Sequence, residues 1–252
     1  ARPAEAKAAA ALAALAAAAR RRIEGDPELA ELQTLLLSTT VRAWQDRKAA
    51  LDGVTRLVLR HYDVLRDGGR LGACTDALLE RLEDGSVKIH LHAVECLIRI
   101  SEEEPLILQH NLAKIVLPAV LASTASASRP VACKSLVLIR RLFDLLPPMQ
   151  VAQFLTHTAL TGSDKLRLAA LKFLADVAPV FCADPDSTLG IVKKVIFPSL
   201  CGVLFEARTK GGVRECAMEC VRALQLCLRD KLWLWCEDPQ QQEEIRRITA
   251  KL

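Results

Sequence analysis

The stretch VKIHLHAVECLIRI, residues 87–100, decides the fold predicted for this chain. Its apolar residues recur at helical spacing rather than in strict alternation, so it is predicted to form an amphipathic helix. His92 and Cys96 lie four positions apart and share a helix face, whereas His90 points elsewhere. Two ligands do not make a zinc site, because a closed zinc site has four. We therefore expect a packed helix and no metal site.

The same pattern recurs four more times along the chain. When the five stretches are aligned by their apolar positions, one column always holds a small residue and the next a large apolar one. The small column is Ala50, Ala93, Ser135, Ala170 and Ala217, and the large column is Leu51, Val94, Leu136, Leu171 and Met218. The small residues are 43, 42, 35 and 47 positions apart, close to the period of about 40–47 residues of helix-pair solenoids. Small residues let neighbouring helices approach closely, while the large ones are expected to fill the core between layers.

Each of these second helices follows a polar turn and an earlier apolar helix. The predicted first helices span 27–38, 70–83, 104–122, 147–161 and 186–205, and a last pair spans about 230–252. Glycine or proline marks a turn or helix start at several of these limits, as at Gly68, Pro105, Pro147 and Pro185. We expect an all-α chain of about six helix pairs, forming a single domain over residues 27–252 after an Ala-rich N-terminal helix or extension, residues 1–26.

Composition narrows the class of protein further. Charge is nearly balanced, at +4, and the chain holds nine cysteines. Because that number is odd and most cysteines lie in apolar helical runs, free thiols in a reducing, cytoplasmic compartment are expected. No apolar run is long enough to cross a membrane, so no membrane association is predicted. The chain does not begin with Met, and we interpret it as a monomeric domain of a larger multidomain protein.

No catalytic motif is present. The phosphate-binding, nucleophile-elbow and zinc-protease signatures are all missing from the sequence. Cys216, Cys220 and Cys227 alternate with apolar residues on one helix and are interpreted as core residues rather than a zinc cluster. The scattered histidines are likewise interpreted as structural. We predict no enzyme activity, no cofactor and no nucleic-acid binding, since a phosphate-binding surface needs a denser basic stripe.

The stretch GGVRECAMECVRAL, residues 211–224, resembles the HEAT repeat, and the small-residue column agrees with that likeness. The first turn, LLLSTTVRAWQDRKAALDGVTRLV, residues 35–58, resembles the corresponding part of a TOG domain, with Trp44 followed by basic residues and an apolar second helix. TOG domains are six-HEAT paddles of CLASP- and crescerin-type microtubule regulators. The resemblance implies a HEAT-repeat α-solenoid, a tubulin-binding edge made of the intra-repeat turns, and a cytoskeletal setting, including the cilium, axoneme or centrosome.

All five turns carry basic residues, and in a regular solenoid such turns stack along one edge. The bases include Arg42, Arg47 and Lys48 in turn one, Lys88 in turn two, Arg129 in turn three, Lys165 and Arg167 in turn four, and Arg208, Lys210 and Arg214 in turn five. An aromatic anchor among cations suits an acidic protein surface, and the resemblance implies that this surface is αβ-tubulin. The predicted contacts are Trp44, Arg47, Lys48, Val87, Lys88, Arg129, Lys165, Arg208 and Lys210.

Two alternatives stay open at this point. The turn charges could be ordinary solvated surface, with Trp44 covering the first layer of the core. The chain could instead be a HEAT-repeat scaffold that binds a different protein, for example a peptide in the groove formed by the second helices. Such a scaffold would carry exposed apolar or Asn residues on the second helices, whereas the unexplained residues lie in the turns.

Overall fold

The computed structural model describes residues 13–14, 16–18, 21, 25–109, 112–183, 188–206, 211–229, 232, 235–236 and 238–249. All regular secondary structure in these residues is helical, which confirms the all-α prediction. The chain divides into two compact units, Ala1–Leu142 and Phe143–Leu252. Most of the N-terminal extension, residues 1–26, lies outside the described residues. The single domain over residues 27–252 stays a prediction.

The first unit holds the first three helix pairs. Its helices are α1 (Pro27–Ala30), α2 (Leu32–Ser38), α3 (Trp44–Arg60), α4 (Tyr62–Asp67), α5 (Leu71–Glu80), α6 (Val87–Glu103), α7 (Leu106–Gln109), α8 (Leu117–Thr124) and α9 (Arg129–Asp144), whose last two residues belong to the second unit. A 3₁₀ turn, Arg81–Glu83, extends α5, and a π-helical turn, Leu112–Val116, precedes α8. The second helices α3 and α6 pack against each other. Gly53 in α3 allows α2 to lie close, because a Cβ there would be 2.8 Å from Leu35 Cδ2.

The second unit continues the alternation of first and second helices. It contains α10 (Pro148–Thr161), α11 (Asp164–Ala183), α12 (Leu189–Ile191), a π-helical turn (Val192–Ile196), α13 (Phe197–Phe205), α14 (Gly212–Leu228) and α15 (Pro239–Thr249). The second helices α11 and α14 pack along each other. Trp235 packs its ring edge-on against Phe197 with centroids 6.1 Å apart.

The small-residue column lies in the core. Its five members are all between 0% and 2% exposed. In the large column Leu51, Val94 and Leu171 are fully buried, but Leu136 and Met218 are only half-buried. The expectation that every large residue fills the core is therefore too broad. Adjacent positions differ by about 100° around a helix axis, so the large column lies nearer the edge of the buried helix face than the small column does.

Three of the predicted first helices are interrupted, and one of them, 27–38, is broken only at Glu31 between α1 and α2. Residues 104–122 and 186–205 were expected to be continuous, yet each contains a π-helical turn that ends just before a residue pair containing proline, Leu117-Pro118 and Phe197-Pro198. Proline has no amide hydrogen and its ring clashes with the carbonyl four residues earlier. In a π-helical turn the backbone hydrogen bonds join residues five apart instead of four, so the regular α-helical bond is not formed at that point. The two segments therefore share the same backbone irregularity at the same place relative to a proline.

Among the described residues, no helix combines the length and apolar character needed to span a membrane.

Candidate functional site

The second helices of the first unit are aligned side by side. Three ion pairs join neighbouring second helices. When each residue is numbered from the start of its own helix, the two numbers in every one of these pairs differ by three. The pairs are Asp52–His92 (2.8 Å), Glu95–Lys134 (3.8 Å) and Glu102–Arg141 (2.8 Å). A constant stagger of three residues, about 4.5 Å, places the N-termini of α3, α6 and α9 at the same end of this layer. The turns before these helices therefore share one surface.

Trp44 and Lys88 form the centre of that surface. Trp44 is the first residue of α3 and is 36% exposed, so part of the residue is open to solvent. Lys88, the second residue of α6, places Nζ 4.4 Å from the centroid of the Trp44 ring, within the range of a cation–π interaction. Val87 beside it is 55% exposed. The contact orients the indole, and the residue stays partly exposed.

Three more residues predicted as contacts are exposed lysines or arginines. Lys48 and Arg129 are exposed, and in the part of the chain that the structure describes neither forms an ion pair. Lys165 is also exposed, in the second unit. We call Trp44, Lys48, Val87, Lys88 and Arg129 the turn surface. The remaining predicted contacts of turn five, Arg208 and Lys210, lie outside the described residues.

Arg47 has a different role from its neighbour Lys48. Its Nη1 donates hydrogen bonds to the carbonyl oxygens of Val41 (2.7 Å) and Arg42 (2.8 Å). Its Nη2 donates to Asp84 Oδ1 at 3.2 Å, and its Nε lies 3.2 Å from Asp84 Oδ2. The two side chains are only 13% and 7% exposed. Arg47 thus links the first turn to the second inside the protein instead of presenting its charge to a partner.

The second unit repeats this arrangement. An arginine in the first turn of each second helix binds a carbonyl near the end of the preceding helix and an acidic residue further along the chain. They are Arg167, which donates to Ala159 O (2.9 Å) and Glu206 (2.9 Å), and Arg214, which donates to Leu204 O (2.7 Å) and Glu244 (3.1 Å). Sequence reasoning counted Arg167 and Arg214 as turn charges and missed this role. The signal was available, since each arginine stands within the first four residues of its helix.

Exposed apolar side chains in the first turn were also missed. Leu37 is 63% exposed and Val41 is 37% exposed, and both precede Trp44 in the same turn region. Large exposed apolar residues close together often mark a binding surface. Both residues lie in the first-turn stretch quoted from the sequence, but only Trp44 and the basic residues of that turn were selected as contacts.

Of the three cysteines of α14 predicted to be core residues, two are buried and one is not. Cys216 and Cys220 are buried, while Cys227 is exposed, and the Cys220 thiol donates to Leu171 O at 2.8 Å. Burial raises the pKa of Cys74 to about 12 and that of Cys201 to about 12, so both thiols are protonated at neutral pH.

Within the described residues, the one group of three metal-ligand side chains in reach of a common ion is Asp52, His92 and Cys96.

Comparison with known proteins identifies the fold. No protein-family model matches the chain, and no curated protein matches it by sequence. Among solved structures, a crescerin TOG domain aligns with a TM-score of 0.64 and 16% identity, covering 91% of both chains. The TOG domain of C. elegans Zyg9 aligns with a TM-score of 0.61 and 15% identity, covering 88% of this chain and 81% of that one.

The TOG domain of human Cep104 aligns with a TM-score of 0.60 and 16% identity, covering 93% of this chain and 94% of that one. At these identities the likeness establishes the fold alone. The chain has the HEAT-repeat solenoid fold of TOG domains, as the resemblance in its first turn implied.

Proposed function

We propose that this chain is a non-catalytic module that binds tubulin or microtubules through the turn surface and thereby regulates microtubule growth or stability. The observation that carries the proposal is the exposed Trp44 ring held by Lys88 at the aligned starts of the second helices. The fold supports it, because solved TOG structures similar to this chain concern tubulin binding specificity and tubulin recruitment by microtubule polymerases.

The chemistry of the turn surface suits an acidic protein partner. Trp44 offers a large, partly apolar ring of the kind that dominates interface energies. Lys48, Lys88 and Arg129 supply positive charge around it, and complementary charge raises association rates and favours one orientation of the partner. In the first unit Arg47 positions this surface by tying turn one to turn two. In the second unit, the predicted contacts Lys165, Arg208 and Lys210 remain predictions.

The mechanism we infer is rigid presentation. Because the turns are joined by buried ion pairs such as Arg47–Asp84, the surface needs little ordering when it binds, which lowers the entropic cost of association. A stiff surface of this kind recognises one arrangement of tubulin and favours it. Further copies in a longer chain would add avidity. We assign the protein to the cytoskeleton, with the cilium as one setting, since the crescerin structure concerns microtubules in the primary cilium.

Co-sedimentation with stabilised microtubules and size-exclusion chromatography with free tubulin test the proposal. The variants are Trp44→Ala, Lys88→Glu and the charge-matched control Lys114→Glu. Lys114 is exposed in the same unit. Ten residues, about 15 Å of helix, separate it from the end of α8, where the turn that leads to Arg129 begins. Loss of a hot-spot aromatic costs about 2 kcal/mol or more, so we expect at least a roughly 30-fold weaker affinity for Trp44→Ala.

Lys88→Glu places a negative charge beside Trp44, and we expect binding to fall by a similar factor, while Lys114→Glu binds like the wild type. Circular dichroism confirms that each variant is folded. Equal binding by all four proteins would refute the turn surface as the site. Absence of wild-type binding at low salt, where surface charges are least screened, would refute tubulin as the partner and favour a HEAT-repeat scaffold for another protein.

A further inference from the structure

The second helices α3 and α6 bring three metal-ligand side chains together away from the turn surface. His92 and Cys96 lie four residues apart on one face of α6, and Asp52 comes from the facing side of α3. One oxygen, one nitrogen and one sulfur atom from these residues all lie within 4.8 Å of one another. The sequence of α6 offers only two of these ligands, and the third comes from a residue 40 positions earlier.

The three atoms form a donor set of defined chemistry. A carboxylate oxygen, an imidazole nitrogen and a thiolate sulfur together suit a borderline-soft divalent cation such as Zn²⁺, whereas Mg²⁺ and Ca²⁺ select oxygen ligands. Bonds of 2.0–2.3 Å around a tetrahedral ion place ligand atoms about 3.3–3.8 Å apart. The widest separation in the cluster, up to 4.8 Å, would therefore shorten by roughly 1 Å, while Asp52 Oδ1 and His92 Nε2, now 2.8 Å apart, would separate by about 0.5 Å. Asp52, with a side chain 59% exposed, is free to make that movement.

The surroundings of the cluster fit ligand positioning. His92 Nε2 faces Asp52 Oδ1 at 2.8 Å, while its other ring nitrogen, Nδ1, lies 3.9 Å from Glu95 Oε2. A carboxylate that accepts a hydrogen bond from the second nitrogen usually orients a metal-bound histidine, and Glu95 would reach that distance by moving about 1 Å closer. The buried Thr55 hydroxyl lies beside the third member of the cluster, Cys96.

Cys96 completes the cluster from the protein interior. The residue is 4% exposed, and burial raises the pKa of its thiol to about 11, an effect that the neighbouring Thr55 hydroxyl partly offsets. A cation that binds there displaces the thiol proton into solvent. The open side of the cluster is the side of Asp52, so an ion can enter from solvent and meet the thiolate last.

We propose that Asp52, His92 and Cys96 form a binding site for a zinc-type divalent cation, with water as the fourth ligand. The bound ion joins α3 to α6 and clamps the first repeat to the second. The proposal is independent of tubulin binding, because none of the three residues belongs to the turn surface.

Titration of the full chain with Co²⁺ tests this site. Tetrahedral Co²⁺ absorbs in the visible range, and a cobalt–thiolate bond adds a charge-transfer band in the near ultraviolet. We expect both signals to saturate at one equivalent and to be reversed by Zn²⁺. Cys96→Ser should abolish the charge-transfer band. Asp52→Asn, an exposed change that spares the core, should weaken the apparent affinity at least about 10-fold, the smallest effect typical of residues that support a metal.

The control is Cys133→Ser, which removes an exposed thiol from α9 of the same unit and should leave the titration unchanged. A charge-transfer band that survives Cys96→Ser, or that disappears only in Cys133→Ser, would overturn the proposal. Equal affinity of Asp52→Asn and the wild type would also overturn it, since the carboxylate would then not be a ligand. So would the lack of any saturable cobalt signal.

Discussion

Replacing Arg47 by Ala should destabilise the first unit, while the same change at its neighbour Lys48 should not. The Arg47 guanidinium donates to two backbone carbonyls and pairs with Asp84, and both side chains are largely buried. Lys48 is exposed. Two adjacent cations in the same helical turn therefore differ in the free energy that each contributes to folding.

The magnitude follows from what the Ala variant leaves behind. Removing one partner of a buried ion pair costs about 3–5 kcal/mol, because the other charge stays buried without compensation. Asp84 keeps two weaker partners, the Arg81 guanidinium at 3.6 Å and the Ser86 amide at 2.8 Å. We therefore take the lower end, about 3 kcal/mol in the free energy of unfolding. Lys48→Ala should change it by less than about 0.5 kcal/mol.

Urea denaturation followed by circular dichroism measures this difference. Expressed as a melting temperature, a loss of about 3 kcal/mol corresponds to roughly 6–12 °C for a chain of this size. Arg47→Lys is the informative intermediate, because an ammonium keeps the charge but cannot reach both carbonyls and the carboxylate together. A cost below about 1 kcal/mol for Arg47→Ala, or equal costs for Arg47→Ala and Lys48→Ala, would refute the structural role assigned to Arg47.

Three further predictions concern the core, the thiols and the turn surface. Ala50→Leu should lower the free energy of unfolding by about 1–3 kcal/mol, because it overpacks the small column. Ala49→Leu, at an exposed neighbouring position, should change that free energy by less than about 0.5 kcal/mol. Equal effects of the two changes in urea denaturation would contradict this prediction. A thiol reagent should modify Cys133 and Cys227 first, since they are the two cysteines that are exposed, and mass spectrometry of the native chain should find the buried Cys220 unmodified. Microtubule affinity should fall as salt rises from 0.05 to 0.5 M, because the Debye length shortens several-fold over about that range; an affinity that is insensitive to salt would exclude a charged interface.

Much of the fold was predictable because helix periodicity is a local property. The small column identified five second helices, and all five of its residues are buried. Errors arose where one residue changes the backbone, as at Pro118 and Pro198, which interrupt helices that apolar periodicity alone makes continuous. The resemblance of the first turn to a TOG domain also held at the level of the fold.

The candidate site was predictable only in part. Trp44 and Lys88 were both selected from the sequence. The cation–π contact that joins them, however, depends on the distance between two helices whose first residues are 43 positions apart in the chain. Arg47 and Lys48 were selected together as equivalent charges. Their difference could not be read from the sequence, because a charge is buried or free according to what the next repeat places beside it.

By itself the sequence determined the helical class, the repeat and the position of the turns, since these follow from the spacing of apolar and small residues three and four positions apart. Tertiary structure decided which cations are available to a partner and that Asp52 meets His92 and Cys96. The physical reason is the stagger of three residues between neighbouring second helices. That stagger results from side-chain packing across repeats about 40 residues apart, and no local pattern encodes it.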